Sequence, residues 1–231
     1  MKPPRDDLYG VFDKSLPRLL EKDVLLVTSK VVSIHQGRCI EGGKVPDKLS
    51  LVKRESDYYL RYQKNKHRGY NLTIKDHTLV SASGIDRSNG NGYFILWPRN
   101  VNRIARDFCA YLKKKHHIRK LAVIIIDSHS LPMRFGSTGI AIGFFGIEPL
   151  RNYIGSKDIF GRRFEVSRTN IVDSLAALSG LVMGEGREKT PLVIARDVPN
   201  ITFSTRPTFH KLVMPLKDDM FYPLLKVFKK K

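Results

Sequence analysis

Apolar residues along this chain fall into short continuous runs more often than into strict alternation, the pattern of strands covered on both faces. LAVIIID at 121–127, GIAIGFFGI at 139–147 and LVIARDV at 192–198 are the plainest of these runs. DVLLVTSKVVSI at 23–34 reads as a buried strand with a Ser-Lys step inside it, LTIKDHTLVSASGID at 72–86 as strand-like, and YFILWP at 93–98 as a shorter strand. Helical spacing lies between them. Val101, Ile104, Ala105, Phe108, Tyr111 and Leu112 predict a helix over 101–115, with Asn100 as its cap. Ile171, Val172, Leu175, Ala176, Leu178, Leu181 and Val182 predict another over 169–183, ended by Gly184. SLPRLLEK at 15–22 and DKLSLVKRESDYYL at 47–60 predict two shorter helices, while QKNKHRGYN and DRSNGNG are loops. Strands and helices interleave, so the fold class is mixed α/β (α+β). One principal domain is expected over 1–198, followed by a basic, Pro-spaced extension over 199–231.

Composition narrows this picture. The 231 residues are 42% hydrophobic, enough for a sizeable core and too many for a disordered chain. No apolar run reaches the ~20 residues of a membrane helix. MKPPRDDLYG has no apolar h-region, so no signal peptide is expected there. Cys39 and Cys109 lack metal-type spacing and are expected as reduced, half-buried thiols, which points to the cytoplasm. The net charge of +19 is the outlier and calls for an anionic partner. Lys and Arg are scattered, and no nucleic-acid recognition motif accompanies them, so small anions are expected rather than nucleic acid or a membrane surface.

Three acids share one kind of context. Asp86 opens DRSNGNG after a strand, Asp127 ends LAVIII, and Glu185 sits in MGEG just past a helix C-terminus. Ligands in α/β proteins gather where strands end. A carboxylate beside a helix C-terminus meets the negative end of the dipole, so something positive should offset it. A hard divalent cation held by Asp86, Asp127 and Glu185, with the Ser128 hydroxyl as a weak fourth ligand, would meet that need. Taken singly, each is more simply an ordinary loop acid. Lys30, Arg134 and Arg151 are candidate anion contacts, each more commonly a surface charge. The glycines form neither a phosphate loop of the Walker type nor a dinucleotide fingerprint. Ser128 lacks a nucleophile elbow, which argues against a serine hydrolase.

Five stretches in order carry a resemblance: KDVLLVTSKVVS (22–33), SGIDRSN (83–89), DSHSLPMR (127–134), AIGFFGIEPLRNYIGSKDIFGRRFEVS (141–167) and LVMGEG (181–186). Together they resemble the coenzyme F-420-0:γ-glutamyl ligase family over roughly residues 20–198. The resemblance implies a two-subdomain fold, an intertwined homodimer, and a ligase that uses GTP (or ATP) with Mg²⁺ or Mn²⁺, and K⁺ as a further cation. A carboxylate is phosphorylated, and the amine of L-glutamate attacks the acyl phosphate. Asp86, Asp127, Ser128 and Glu185 then resemble the metal ligands. Ser29, Lys30, Asn89, Met183, Gly184, Glu185 and Gly186 resemble the nucleotide contacts. Asp127, Arg134 and Lys30 are the expected catalytic set.

The departures matter as much. Where members of the family continue as SKAEG, this chain has Ile34-His35-Gln36-Gly37 further on, so one nucleotide contact is missing. A DTxGRPxR-type loop has become DSHSLPMR, losing a glycine and the first arginine while keeping Pro132 and Arg134. Such features resemble a divergent branch associated with folate metabolism, and they tilt the expected acceptor from the deazaflavin F-420-0 toward a folate. A non-catalytic nucleotide- or anion-binding protein of the same fold is the rival expectation.

Overall fold

The computed structural model describes residues 1–45, 47–60 and 71–231. Asp7 accepts hydrogen bonds from the backbone of Tyr9 and Gly10 and so opens helix α1 (Leu8–Ser15). Pro17 holds Leu16 extended and ends it, so the helix expected at 15–22 lies further toward the N-terminus. Strand β1 (Asp23–Thr28) passes directly into helix α2 (Ser29–His35), where the sequence reads as one strand. Both halves are apolar and buried, and hydrophobicity alone cannot divide them. After strand β2 (Cys39–Glu41), Asp47 caps helix α3 (Lys48–Glu55), and strand β3 (Tyr58–Tyr59) takes the end of the helix expected over 47–60.

The stretch 72–86 is a hairpin rather than one strand, formed by β4 (Leu72–Lys75) and β5 (Thr78–Ser81). Asp76 and His77 both take positive φ (45° and 63°), as a two-residue hairpin turn demands. The expected loop at 63–71 lies, apart from Asn71, outside the described residues. Strand β6 (Tyr93–Ile95), helix α4 (Val101–His116), strands β7 (Leu121–His129), β8 (Thr138–Phe145), β9 (Leu150–Asn152) and β10 (Arg168–Asn170), helix α5 (Ile171–Met183), strand β11 (Leu192–Ala195), helix α6 (Tyr222–Leu225) and strand β12 (Lys229–Lys230) complete the order. Asn100 stands just ahead of α4 in a left-handed conformation, and its side chain makes no capping bond.

The central sheet has the order β11-β1-β7-β8, with β1 and β7 parallel and the outer pairs antiparallel. Leu25, Val123 and Ile125 face α1 and α4, where Phe12 and Phe108 pack edge to face with centroids 5.1 Å apart. Val24, Leu26, Ile124 and Phe144 face α5 through Val172 and Ala176. Helices on both faces explain why these strands read as unbroken apolar runs. Cys109 is fully buried here, not half-buried, with its thiol against the Leu121 carbonyl. A smaller body stands beside this one, with Leu51, Val52, Phe94 and Leu96 as its core and a sheet of order β12-β3-β4-β5. Residues 199–231 are not a free arm. Phe203 bridges to Ile147, Phe209 packs on Phe144, and β12 pairs with β3, so this segment touches both bodies.

Candidate active site

Strands β1 and β7 run in register, with Thr28 opposite Ile126, so Ser29 and Asp127 stand side by side where β1 ends, while β7 continues against β8 to His129. That edge is where ligand sites of α/β sheets form. A register shift between Ile125 and Ile126 against β8 adds local twist immediately before Asp127. Over the edge opens a cleft of about 730 Å³, lined among others by Ser29, Lys30, Asp86, Asn89, Asp127 and Glu185. Its size falls in the ~300–1,000 Å³ range of small-molecule sites.

Asp86 reaches this cleft because the backbone before it is forced into an unusual path. Ala82, Ser83 and Gly84 all take positive φ (51°, 55° and 66°). A Cβ on Gly84 would sit 2.1 Å from the Trp97 ring, so only glycine fits there. The Ser83 hydroxyl donates to the Val52 carbonyl, and Asp86 pairs with Ile95 through two backbone hydrogen bonds of 2.8 and 2.9 Å. Ser88 then donates its backbone N–H (2.7 Å) and its hydroxyl (2.9 Å) to Asp86 Oδ1. Lys30, in the first turn of α2, places Nζ 2.5 Å from Asp86 Oδ2. On the other wall α5 ends at Gly184, and Asn89 Nδ2 donates to the Gly186 carbonyl at 3.0 Å. Ser137 Oγ donates to Glu185 Oε1 at 2.9 Å.

The two central carboxylates are set apart electrostatically. Burial pushes Asp127 up to about 7, and Asp86 pushes the same way. The Ser128 backbone, the Ser29 side chain and Lys30 only partly offset them. Burial pushes Asp86 up as well, but the Lys30 ammonium and Ser88 more than reverse it, and its carboxyl lies below the ordinary range. One cleft thus holds a firmly ionised carboxylate beside one that titrates near neutrality, the arrangement that separates acid and base roles.

Of the expected residues, Ser29, Lys30, Asp86, Asn89, Asp127, Ser128, Met183, Gly184, Glu185 and Gly186 all line the cleft. Arg134 does not; it lies on the exposed 130–137 loop with Leu131 and Ser130. Among the described residues no three acids, histidines or cysteines gather as a metal-binding group. Lys30 occupies Asp86, and Ser137 holds Glu185. The sequence reading missed Ser88, Ser137 and Glu188, whose Oε2 accepts from the Gly186 N–H at 2.8 Å. Ser88 was open to discovery, since an Asp two residues ahead of a Ser favours this local turn. Ser137 was not, because its partner comes from a distant helix end.

A family model described as F420-0:Gamma-glutamyl ligase matches residues 3–197. The chain belongs to that family. It is accordingly an enzyme, a ligase that closes a carbon–nitrogen amide bond. Similar proteins named coenzyme F420:L-glutamate ligase come from Methanosarcina barkeri (31% identical, covering 83% of this chain and 79% of the relative) and Methanococcus maripaludis (32%, covering 88% and 86%). A third, from Methanocaldococcus jannaschii, is 30% identical over 88% of this chain and 78% of its own length. The part matched to the γ-glutamyl ligase family contains every residue of the cleft named above, and 198–231 follows it. No described helix is long and apolar enough to cross a membrane.

Proposed function

We propose that this protein couples cleavage of a nucleoside triphosphate, GTP in the first place, to addition of L-glutamate onto the carboxylate of a deazaflavin acceptor of the F-420-0 type. The observation that carries the reading is the convergence of Lys30, Asp86 and Asp127 at the paired ends of β1 and β7, on a chain 30–32% identical to coenzyme F420:L-glutamate ligases. Lys30 supplies the fixed positive charge that a transferring phosphoryl group needs. Asn89 and the Gly186 backbone tie the two loops that flank it.

The donor set suits a hard divalent cation, since carboxylate and hydroxyl oxygens are its preferred ligands. Asp86, Asp127 and Ser128 would hold it, with Glu185 approaching once its bond to Ser137 opens. Such an ion would neutralise phosphate oxygens during transfer. Asp127 must lose its proton to serve as a ligand, so metal affinity rises with pH through about 7. The expected tilt to folate rested partly on the DSHSLPMR loop, and its Ser130 and Leu131 do not line the cleft. That loop therefore does not argue for folate, and the relatives' names favour the deazaflavin. Exposed Ile159, Phe160 and Val166 in the segment between β9 and β10, with exposed Leu178 and Leu181 of α5, support pairing of two copies. The test is purified protein with L-glutamate, Mg²⁺ or Mn²⁺, GTP or ATP, and both acceptors at equal concentration. Glutamylated F-420-0 is the expected product; glutamylated folate alone would reverse the choice of acceptor, and no product with either would remove the reading.

A further inference from the structure

Lys30 is engaged in a way that a plain phosphate contact would not require. Its ammonium carries three protons and has three acceptors on one loop: Asp86 Oδ2 at 2.5 Å, the Ser88 carbonyl at 3.0 Å and Ser88 Oγ at 3.3 Å. Asp86 is filled from the other side as well, because Ser88 donates its N–H and its hydroxyl to the same carboxylate. The Asp86 side chain is 42% exposed, but its charge is already paired with that ammonium, so a divalent cation binding there must either displace Lys30 or sit against its repulsion. The Lys30 side chain is 24% exposed and stands at the lining of the cleft, so it can swing into the cleft without unpacking the core.

We infer that Lys30 is an internal stand-in for the metal: it neutralises Asp86 toward a free divalent cation, and the cation enters together with a triphosphate that receives the displaced ammonium. The inference rests on the nucleotide- and metal-dependent reading above. It explains why three acids lining one cleft do not gather into a metal-binding group. It also makes binding ordered. A free cation meets an Asp86 already neutralised, whereas a cation carrying phosphate oxygens brings an anion to exchange for Asp86.

The probe is Mn²⁺, followed by the electron paramagnetic resonance of the free ion, on the full chain with and without a non-hydrolysable GTP analogue. Wild-type protein should take up Mn²⁺ weakly alone and well with the analogue. Lys30→Met keeps the aliphatic stem and removes the charge, and should tighten uptake of Mn²⁺ alone by about tenfold or more. Lys30→Gln serves as a second uncharged variant should the Met form fail to fold. Lys30→Arg, which keeps the charge, should take up Mn²⁺ alone as weakly as wild type, and adding Asp86→Asn to Lys30→Met should erase the gain. If wild type binds Mn²⁺ with the analogue but the uncharged variants bind Mn²⁺ alone no better than wild type, the stand-in role is wrong while the metal reading survives. If neither binds Mn²⁺ even with the analogue, both are overturned.

Discussion

Asp86 and Asp127 show how a few neighbours decide what a carboxylate can do. Both are desolvated, but only Asp86 has an ammonium within 2.5 Å, so one is held ionised and the other is driven up to about 7. The consequence for stability has a definite sign. Asp127 binds its proton more tightly in the folded protein than in the unfolded chain, whose carboxyl keeps the ordinary value of 3.8. Its contribution therefore turns unfavourable as pH rises from about 4 to about 7 and stays so above that, by at most about 4 kcal/mol. Asp127→Asn removes the penalty. Ligation should be lost, yet the ligand-free variant should melt higher than wild type at pH 8 and close to wild type at pH 4. Equal melting shifts at both pH values would show that Asp127 is not desolvated as described.

Glycines at element crossings place the walls of the cleft. Gly139 of β8 lies so close to α5 that a Cβ would stand 2.1 Å from the Ala176 carbonyl oxygen, a backbone atom that cannot yield alone. Gly139→Ala should therefore cost about 1–3 kcal/mol and shift the helix whose end carries 183–186, lowering activity along with stability. Gly43, with nothing within 4 Å of its would-be Cβ, is the control, and Gly43→Ala should stay within about 0.5 kcal/mol. Chemical denaturation reads both; equal midpoints would deny the close approach. The same elements show what the sequence discloses. α4, α5, β7 and β8 were legible because each is long and keeps one periodicity. The β1-to-α2 switch was not, since Val31, Val32 and Ile34 are as buried as the strand before them. The hairpin turn was hidden in Asp76-His77, a pair without glycine. That Asp86, Asp127 and Glu185 would line one cleft was legible from strand ends and flanking glycines. The Lys30–Asp86 pair and the outward course of Arg134 depend on contacts between distant segments, which spacing does not encode.

Taken whole, the molecule joins a two-sided sheet to a smaller body, with the C-terminal segment touching both. Phe209 packs on Phe144 at 5.7 Å, so Phe209→Ala should cost about 1–3 kcal/mol and lower Tm by about 2–4 °C for each kcal/mol. An unchanged Tm would return 199–231 to the status of a free extension. The net charge of +19 acts over the same breadth. Titrations with duplex or single-stranded nucleic acid should show weak binding that falls steeply with salt, as phosphate-only contacts do. Sequence-selective binding at physiological salt would contradict that. The chemistry assigned to the cleft is tested most directly by an isotope. On the proposed route, with the acceptor carboxylate labelled with ¹⁸O, a carboxylate oxygen would attack the terminal phosphorus and the amine of L-glutamate would then expel phosphate from the acyl carbon. Mass spectrometry should find one ¹⁸O in the inorganic phosphate for each γ-glutamyl amide formed. Amide formed with unlabelled phosphate, or with the label in a nucleoside monophosphate, would contradict an acyl phosphate made in this cleft.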